Sequence, residues 1–576
     1  MSTNKPVTLA PEEPLKENSR YLRGTIKESL ADDITGTIPE DDAKLLKFHG
    51  IYVQDDRDIR QERSHRKLEP AYSFLIRVRL AGGVLTPEQW LKLDQLAIQY
   101  GFPSLRITTR QTFQYHGVVK RNLKKTIQGI HDALLDTIAA CGDVNRNVVA
   151  HNNPHRSVHH DELNRLAHQI SDAFLPKTGA FHEIWLDGKE VTPPTKAVEE
   201  FEPLYGKTYL PRKFKIGIAL PPSNDVDVFA QDLGFIAILK KGKIAGYNVA
   251  VGGGMGTTHS DHKTYPRLAS VIGFVQPDQV LSVTEKVLEI QRDFGDRTNR
   301  KHSRFKYTID DRGLPWIKEE LETRLGWSLK AAEPFEFTDN GDLIGWFEDS
   351  SGHWHLTLAI PSGRLKDTPE AEWLSAFREI AKIHTGDFRL TCNQNLTVAK
   401  VKAEDRDRIE TLLHQHRIPF EKPTSALRQR AVSCVAFPTC GLAMAESERW
   451  LPQLATRLEA VLDEHGLRYA PINLRVTGCP NGCGRPFLGE IGLVGKSPGR
   501  YNLYLGAAHD GSRLNRLYRE SLNEQEILEA LVPILKDYAG HRQPEETFGD
   551  FVIRKAYVKA VLEGKDFHQP TGSSAP

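Results

Sequence analysis

The sequence predicts an α+β fold of several domains, duplicated about an internal pseudo-twofold, on three observations. At 576 residues the chain is too long for one hydrophobic core and should divide into roughly three or four domains. LRITTRQTF at 105–113 and FRLTCNQNL at 388–396 agree at Arg106/Arg389, Thr108/Thr391 and Gln111/Gln394, and Trp90 and Trp373 precede them at the same separation of 283 residues. GKIAGYNVAVGGG at 242–254 and GKSPGRYNLYLG at 495–506 form a second pair, with Tyr247-Asn248 opposite Tyr501-Asn502. Two matches in the same order make each half a small α+β unit followed by a larger one, and two copies are too few for a solenoid. A site on the pseudo-axis would draw residues from both halves.

Composition limits the function classes. Hydrophobic residues make up 39% of the chain and charged residues 26%, and no stretch approaches the roughly twenty apolar residues of a membrane-spanning helix. A formal charge of +1 argues against a general nucleic-acid or membrane-surface binder, so any basic cluster is local. The N-terminus, MSTNKPVTLAPEEPLKENSR, lacks an apolar secretion segment and carries Glu12 and Glu13, which transit peptides avoid. The expected location is cytoplasmic, where thiols stay reduced and clustered cysteines point to metal or redox chemistry.

Along the chain, residues 1 to about 45 open with Pro6, Pro11 and Pro14 and read as mobile or partner-dependent, within an extension running to 66. The end of the chain, 566–576, reads as a disordered tail. Arg106, Thr108 and Arg110 alternate as in a strand, which would turn both arginines to one side. Lys213 and Lys215 would likewise share a face, with Phe214 on the other.

Four of the six cysteines form two tight pairs: Cys434 and Cys440 as C-x5-C, then Cys479 and Cys483 as C-x3-C. Zinc knuckles favour closer pairs, so a structural zinc site fits poorly. A 4Fe-4S cluster needs four converging thiolates and small neighbours, which Gly478, Gly482 and Gly484 supply. Cys141 and Cys392 read as core cysteines.

VTGCPNGCGRP, preceded by C-x5-C, resembles the signature of the sulfite and nitrite reductases that carry siroheme beside a 4Fe-4S cluster. The likeness runs from KFHGIYVQDDRD near 48 to FGDFVIRKA near 556, and includes the assimilatory NADPH-dependent haemoprotein (beta) subunits of that family. It implies three α+β domains: ferredoxin-like half-domains at 67–145 and 340–425, a siroheme and substrate unit at 146–339, and a cluster and siroheme unit at 426–565. It implies Cys434, Cys440, Cys479 and Cys483 as cluster ligands, the last also bridging to siroheme. Siroheme contacts fall on Arg106, Arg110, Gln114, His116, Arg212, Arg304 and Asn481, and sulfite on Arg77, Arg146, Lys213 and Lys215. Cations suit a macrocycle with eight carboxylates and a small dianion. Thr109 stands where relatives commonly have Asn, so one cofactor contact should be adjusted.

The resemblance implies six-electron reduction of sulfite to sulfide in sulfur assimilation. The glycine-rich VGGGMGTTH at 251–259 lacks the third glycine of a dinucleotide fingerprint, so reducing power must come from a partner. The resemblance implies a flavoprotein (alpha) subunit oxidising NADPH, and the N-terminal extension is the expected docking segment. The alternatives are a ferredoxin-dependent sulfite reductase, a siroheme nitrite reductase, or a non-catalytic iron-sulfur or zinc protein.

Overall fold

The computed structural model describes residues 8–155, 157–187, 201–420 and 424–569. Its strands fall into four five-stranded sheets, two small and two larger, and the duplication is visible in their order.

The first small sheet runs Ile51–Asp55, Tyr72–Arg77, Phe113–Val118, Leu105–Ile107, and the second runs Gly345–Glu348, Trp354–Leu358, Leu396–Val401, Asp387–Leu390. Each is completed by a two-residue strand from the other half. Arg364–Leu365 pairs with Leu105–Ile107, and Val84–Leu85 pairs with Asp387–Leu390. Helix Pro87–Tyr100 starts sharply because Thr86 and Gln89 form a reciprocal capping box and proline occupies the first turn. Trp90 on that helix is fully buried against Phe113, Phe377 and Phe388, with ring centroids at 5.4, 5.5 and 4.5 Å. Its rings come from both halves, so the two small units share one core.

The larger sheets repeat one topology. Val149–Ala150, Ile216–Ala219 and Leu233–Lys240 are parallel neighbours, followed by antiparallel Lys243–Val251 and Ser270–Val275. Val432–Ser433, Leu474–Thr477 and Ile491–Ser497 are parallel in turn, followed by antiparallel Arg500–Leu505 and Arg516–Leu522. The Tyr-Asn matches of the sequence thus lie on equivalent strands.

Three expectations are corrected. Residues 8–45 pack onto the molecule: they form helices Glu12–Glu17, Ile26–Ala31 and Glu40–Leu45, and Leu22, Ile26, Leu45 and Leu46 are buried in the main core. Few apolar residues suffice because charged groups here are buried in pairs. The tail is packed as far as it is described, with Phe567 buried against Phe487 and Tyr504. Residues 1–7 and 570–576 lie outside the described residues. The strand carrying Arg106 ends at Ile107, and Gln111 takes a φ of 53°, so Arg110 sits in a turn and the two arginines meet different neighbours. Among the described residues no helix is long and apolar enough to cross a membrane.

Candidate active site and cluster site

The cysteines come from two loops that follow neighbouring parallel strands of one sheet. Cys434 follows Val432–Ser433, and Cys479 and Cys483 follow Leu474–Thr477. The Gly478 N–H donates to Cys434 Sγ at 3.1 Å and the Asn481 amide to Cys479 Sγ at 3.5 Å, while the Leu442 and Ala443 amides serve Cys440. A Cβ on Gly478 would lie 2.6 Å from both the Ala436 Cβ and the Ala445 carbonyl, so glycine is required for this close approach. Burial and then the neighbouring Cys483 push the thiols up, Cys440 to about 11 and Cys479 to about 12. Thiols in such a place ionise when positive metal ions sit among them, as a 4Fe-4S cluster requires. Among the described residues no group of three or more His, Cys, Asp or Glu is placed to hold a single metal ion.

Cys483 differs from the other three. It is exposed, and its carbonyl accepts from Thr109 Oγ1 at 3.0 Å. Thr109, expected to adjust a cofactor contact, therefore holds the loop of this cysteine. Cys483 lies within electrostatic range of Cys434, Cys440 and Cys479 on one side and of Arg77 and Lys213 on the other.

The cations form one basin beside it. Arg77 closes strand Tyr72–Arg77 opposite Gln114, whose amide oxygen, in the orientation that satisfies both groups, accepts from Arg77 Nε at 3.1 Å. Arg77 Nη1 also donates to Cys141 Sγ at 3.1 Å, so Cys141 does more than fill the core. Arg146 Nε donates to the Gly142 carbonyl at 3.1 Å. Phe214 is fully buried, which leaves Lys213 and Lys215 flanking it toward the basin, as the alternation predicts. Burial, then Arg212, Arg304 and Arg146, hold Lys213 well below the ordinary lysine value; burial, Lys213 and Arg110 do the same to Lys215. Arg110 is lowered to about 9 by burial, bonded only to neutral oxygens such as Gln231 Oε1 at 3.0 Å, and its Nε has no partner. Both ring nitrogens of His116 are buried without a partner, and burial keeps the ring neutral. Burial likewise lowers Arg212 to about 10.

Two assigned arginines are already paired. Arg304 grips the fully buried Asp232 with Nη2 2.9 Å from both carboxylate oxygens. Arg106 Nε lies 2.7 Å from Glu448, which Arg364 also binds at 2.7 Å, and Arg106 Nη2 donates to the Ser433 carbonyl at 3.0 Å. Burial would raise the Glu448 carboxyl, but the two arginines outweigh it and bring it to about 2. Sequence reasoning missed Glu448, which nothing in its neighbourhood signals. It also missed Arg485, which stands inside VTGCPNGCGRP, and Lys306, two residues after Arg304. Arg485 ties the loop to the Thr109 and Cys392 carbonyls at 2.8 and 2.9 Å, and Lys306 binds the Gly256 carbonyl at 2.9 Å.

Among the described residues, Arg77, Arg110, Arg146, Lys213 and Lys215 have no carboxylate partner. Arg110 is buried and the other four are half-buried, and crowding such cations without counter-charges is unfavourable, a cost that a bound polyanion offsets. The orphaned N–H of the His116 ring and the Arg110 Nε–H add unfilled donors, so the residues fit a polycarboxylate macrocycle with a small anion beside it.

Comparison with known proteins agrees with this chemistry. The family description "Nitrite/Sulfite reductase ferredoxin-like half domain" matches residues 65–133 and 348–416, the separation of the sequence repeat, and "Nitrite and sulphite reductase 4Fe-4S domain" matches 167–329. The chain is 58% identical to the "Sulfite reductase [NADPH] hemoprotein beta-component" of Shouchella clausii, over 97% of each chain. It is 59% identical to the protein of that name in Anoxybacillus flavithermus, over 96% of this chain and 97% of the other, and 56% identical to that of Bacillus subtilis with the same shares. The fold matches the structure of Mycobacterium tuberculosis NirA protein with a TM-score of 0.77, at 24% identity over 96% of this chain and 97% of that one. From near full-length identity above one half, together with its duplicated half-domains, the chain belongs to the nitrite and sulfite reductase family.

Proposed function

We propose that this protein is the catalytic haemoprotein of an assimilatory NADPH-sulfite reductase and reduces sulfite to sulfide. The observation that carries the reading is the position of Cys483, near three other thiols, one buried and two half-buried, and near a basin of cations without carboxylate partners. Cys434, Cys440, Cys479 and Cys483 would hold a 4Fe-4S cluster. Arg110, His116, Arg212, Gln114 and Asn481 would hold siroheme, with Arg106 and Arg304 as paired members of the same wall. When bound, these groups supply the iron that takes the substrate sulfur and the stepwise electrons that lower it from +4 to −2.

The chain's own residues do the rest. Arg77, Arg146, Lys213 and Lys215 orient sulfite through its oxygens and neutralise its charge. A bound dianion favours the ammonium form of Lys213 and Lys215, which can then deliver protons as each S–O bond breaks and oxygen leaves as water. Electrons come from a flavoprotein partner that oxidises NADPH, in the cytoplasm, where the cluster thiols stay reduced.

The test is the visible spectrum of the purified protein with iron and acid-labile sulfide analysis, followed by dye-driven turnover of sulfite and nitrite. Tetrapyrrole absorbance with cluster iron and preferred sulfite turnover is the expected result. A protein with zinc and no tetrapyrrole would overturn the reading, and turnover of nitrite alone would move it to the nitrite branch.

A further inference from the structure

The N-terminal arm, expected to be a free docking tail, inserts a buried cation behind the substrate side of the basin. In helix Glu12–Glu17 the side chains of Glu13 and Lys16 are each only 2% exposed. An ammonium in such a place needs partners. Lys16 Nζ donates to Glu13 Oε1 at 2.7 Å and to the Leu210 carbonyl at 2.8 Å, and lies 3.9 Å from Asp143 Oδ2.

Leu210 and Asp143 begin two segments that run side by side into the basin. The Leu210 N–H donates to the Asp143 carbonyl, the Phe214 N–H to that of Val144, and the Arg146 N–H to that of Phe214, each at 3.0 Å. Beyond these bonds the segments present Arg146 on one side and Lys213 and Lys215 on the other. The same junction is braced by Arg300, at 2.7 Å from Asp143 and 3.0 Å from the Pro211 carbonyl, and by Arg297, which bonds Glu13 and the Tyr209 carbonyl. Lys47 and Arg212 also face Asp143, and Glu12 faces Arg300 at 3.2 Å.

We infer that the N-terminal arm is a positioning element for sulfite binding: Lys16, held by Glu13, sets the register of the two segments that carry Arg146, Lys213 and Lys215. The inference rests on the reading that these cations bind sulfite. Lys16 touches no substrate and acts through Leu210 and Asp143. A slip of these segments would misplace three cations against a small anion together, and would spare the cluster loops.

The test uses the holoenzyme with a reduced dye as donor. Lys16→Met is expected to raise the sulfite KM about tenfold with kcat, siroheme absorbance and iron content close to the parent. The sulfite concentration needed for a thermal shift should rise by the same factor without turnover. Glu13→Gln, which keeps the ammonium but loosens its anchor, should give a smaller rise in KM, and Glu17→Ala, on the exposed face of the helix, the parent value. Arg146→Met separates the two ideas. If it leaves the sulfite KM unchanged, the reading of the basin fails and the inference falls with it. If Arg146→Met raises KM while Lys16→Met and Glu13→Gln keep the parent KM, or lose only cofactor content and melting temperature, the inference is overturned.

Discussion

At Cys483 the carbonyl and the thiol serve different neighbours: Thr109 anchors the former, while the latter stands exposed between thiols and cations. Cys483→Ser is expected to disturb tetrapyrrole and cluster absorbance together, whereas loss of cluster iron with an intact tetrapyrrole spectrum would show that the two sites are independent. Lys215 makes a second test. Removing a half-buried cation crowded by Lys213 and Arg110 relieves desolvation and like-charge repulsion, so Lys215→Met should leave the melting temperature unchanged or raised. Its lost charge-assisted contact should raise the sulfite KM about 10- to 100-fold. A fall in melting temperature with an unchanged KM would mark Lys215 as structural. The cysteine pairs and the K-x-K alternation could be read from letters because ligand spacing and strand period are local. The partners of Arg106 could not, since Glu448 lies more than three hundred residues away in the chain and gives no local signal.

At the level of elements, the exchanged strands decide whether the halves can separate. Gly363 precedes Arg364–Leu365 with a φ of 69°, and a Cβ there would lie 2.4 Å from the Ile107 carbonyl. Gly466 has nearly the same φ, 68°, with no atom within 4 Å. Gly363→Ala should therefore lower the apparent melting temperature by clearly more than Gly466→Ala, whose cost is backbone strain of about 1 kcal/mol. Equal losses in scans at one rate would show that the strand exchange tolerates displacement. The repeat and its matched tyrosine-asparagine segments were legible because each copy keeps its own pattern. The exchange was not, because two-residue strands carry no periodicity.

Over the whole molecule, the two larger units are joined by a buried charge network. His509 lies between Glu490 and Asp339, at 3.0 and 3.2 Å, and Arg430 binds Asp339 at 2.6 Å. Burial lowers the imidazole, but the carboxylates outweigh it and raise His509 to about 9. A folded value above the ordinary 6.5 gives stability that is complete below about pH 6.5 and disappears as pH rises through about 9, worth roughly 3 kcal/mol. His509→Gln should flatten the dependence of melting temperature on pH across that window, and an unchanged slope would assign it to other groups. The sequence by itself determined the duplication and the two cysteine pairs, because these rest on spacing and period along the chain, whereas the roles expected of the basic residues came from the likeness to a family. Only the tertiary structure decided that each half completes the other's sheet, which arginines carboxylates already neutralise, and that the charged N-terminal arm is buried behind the segments carrying Arg146, Lys213 and Lys215. Those outcomes depend on which distant groups meet in a low-dielectric interior, where an unpaired charge is costly and a single partner changes its role.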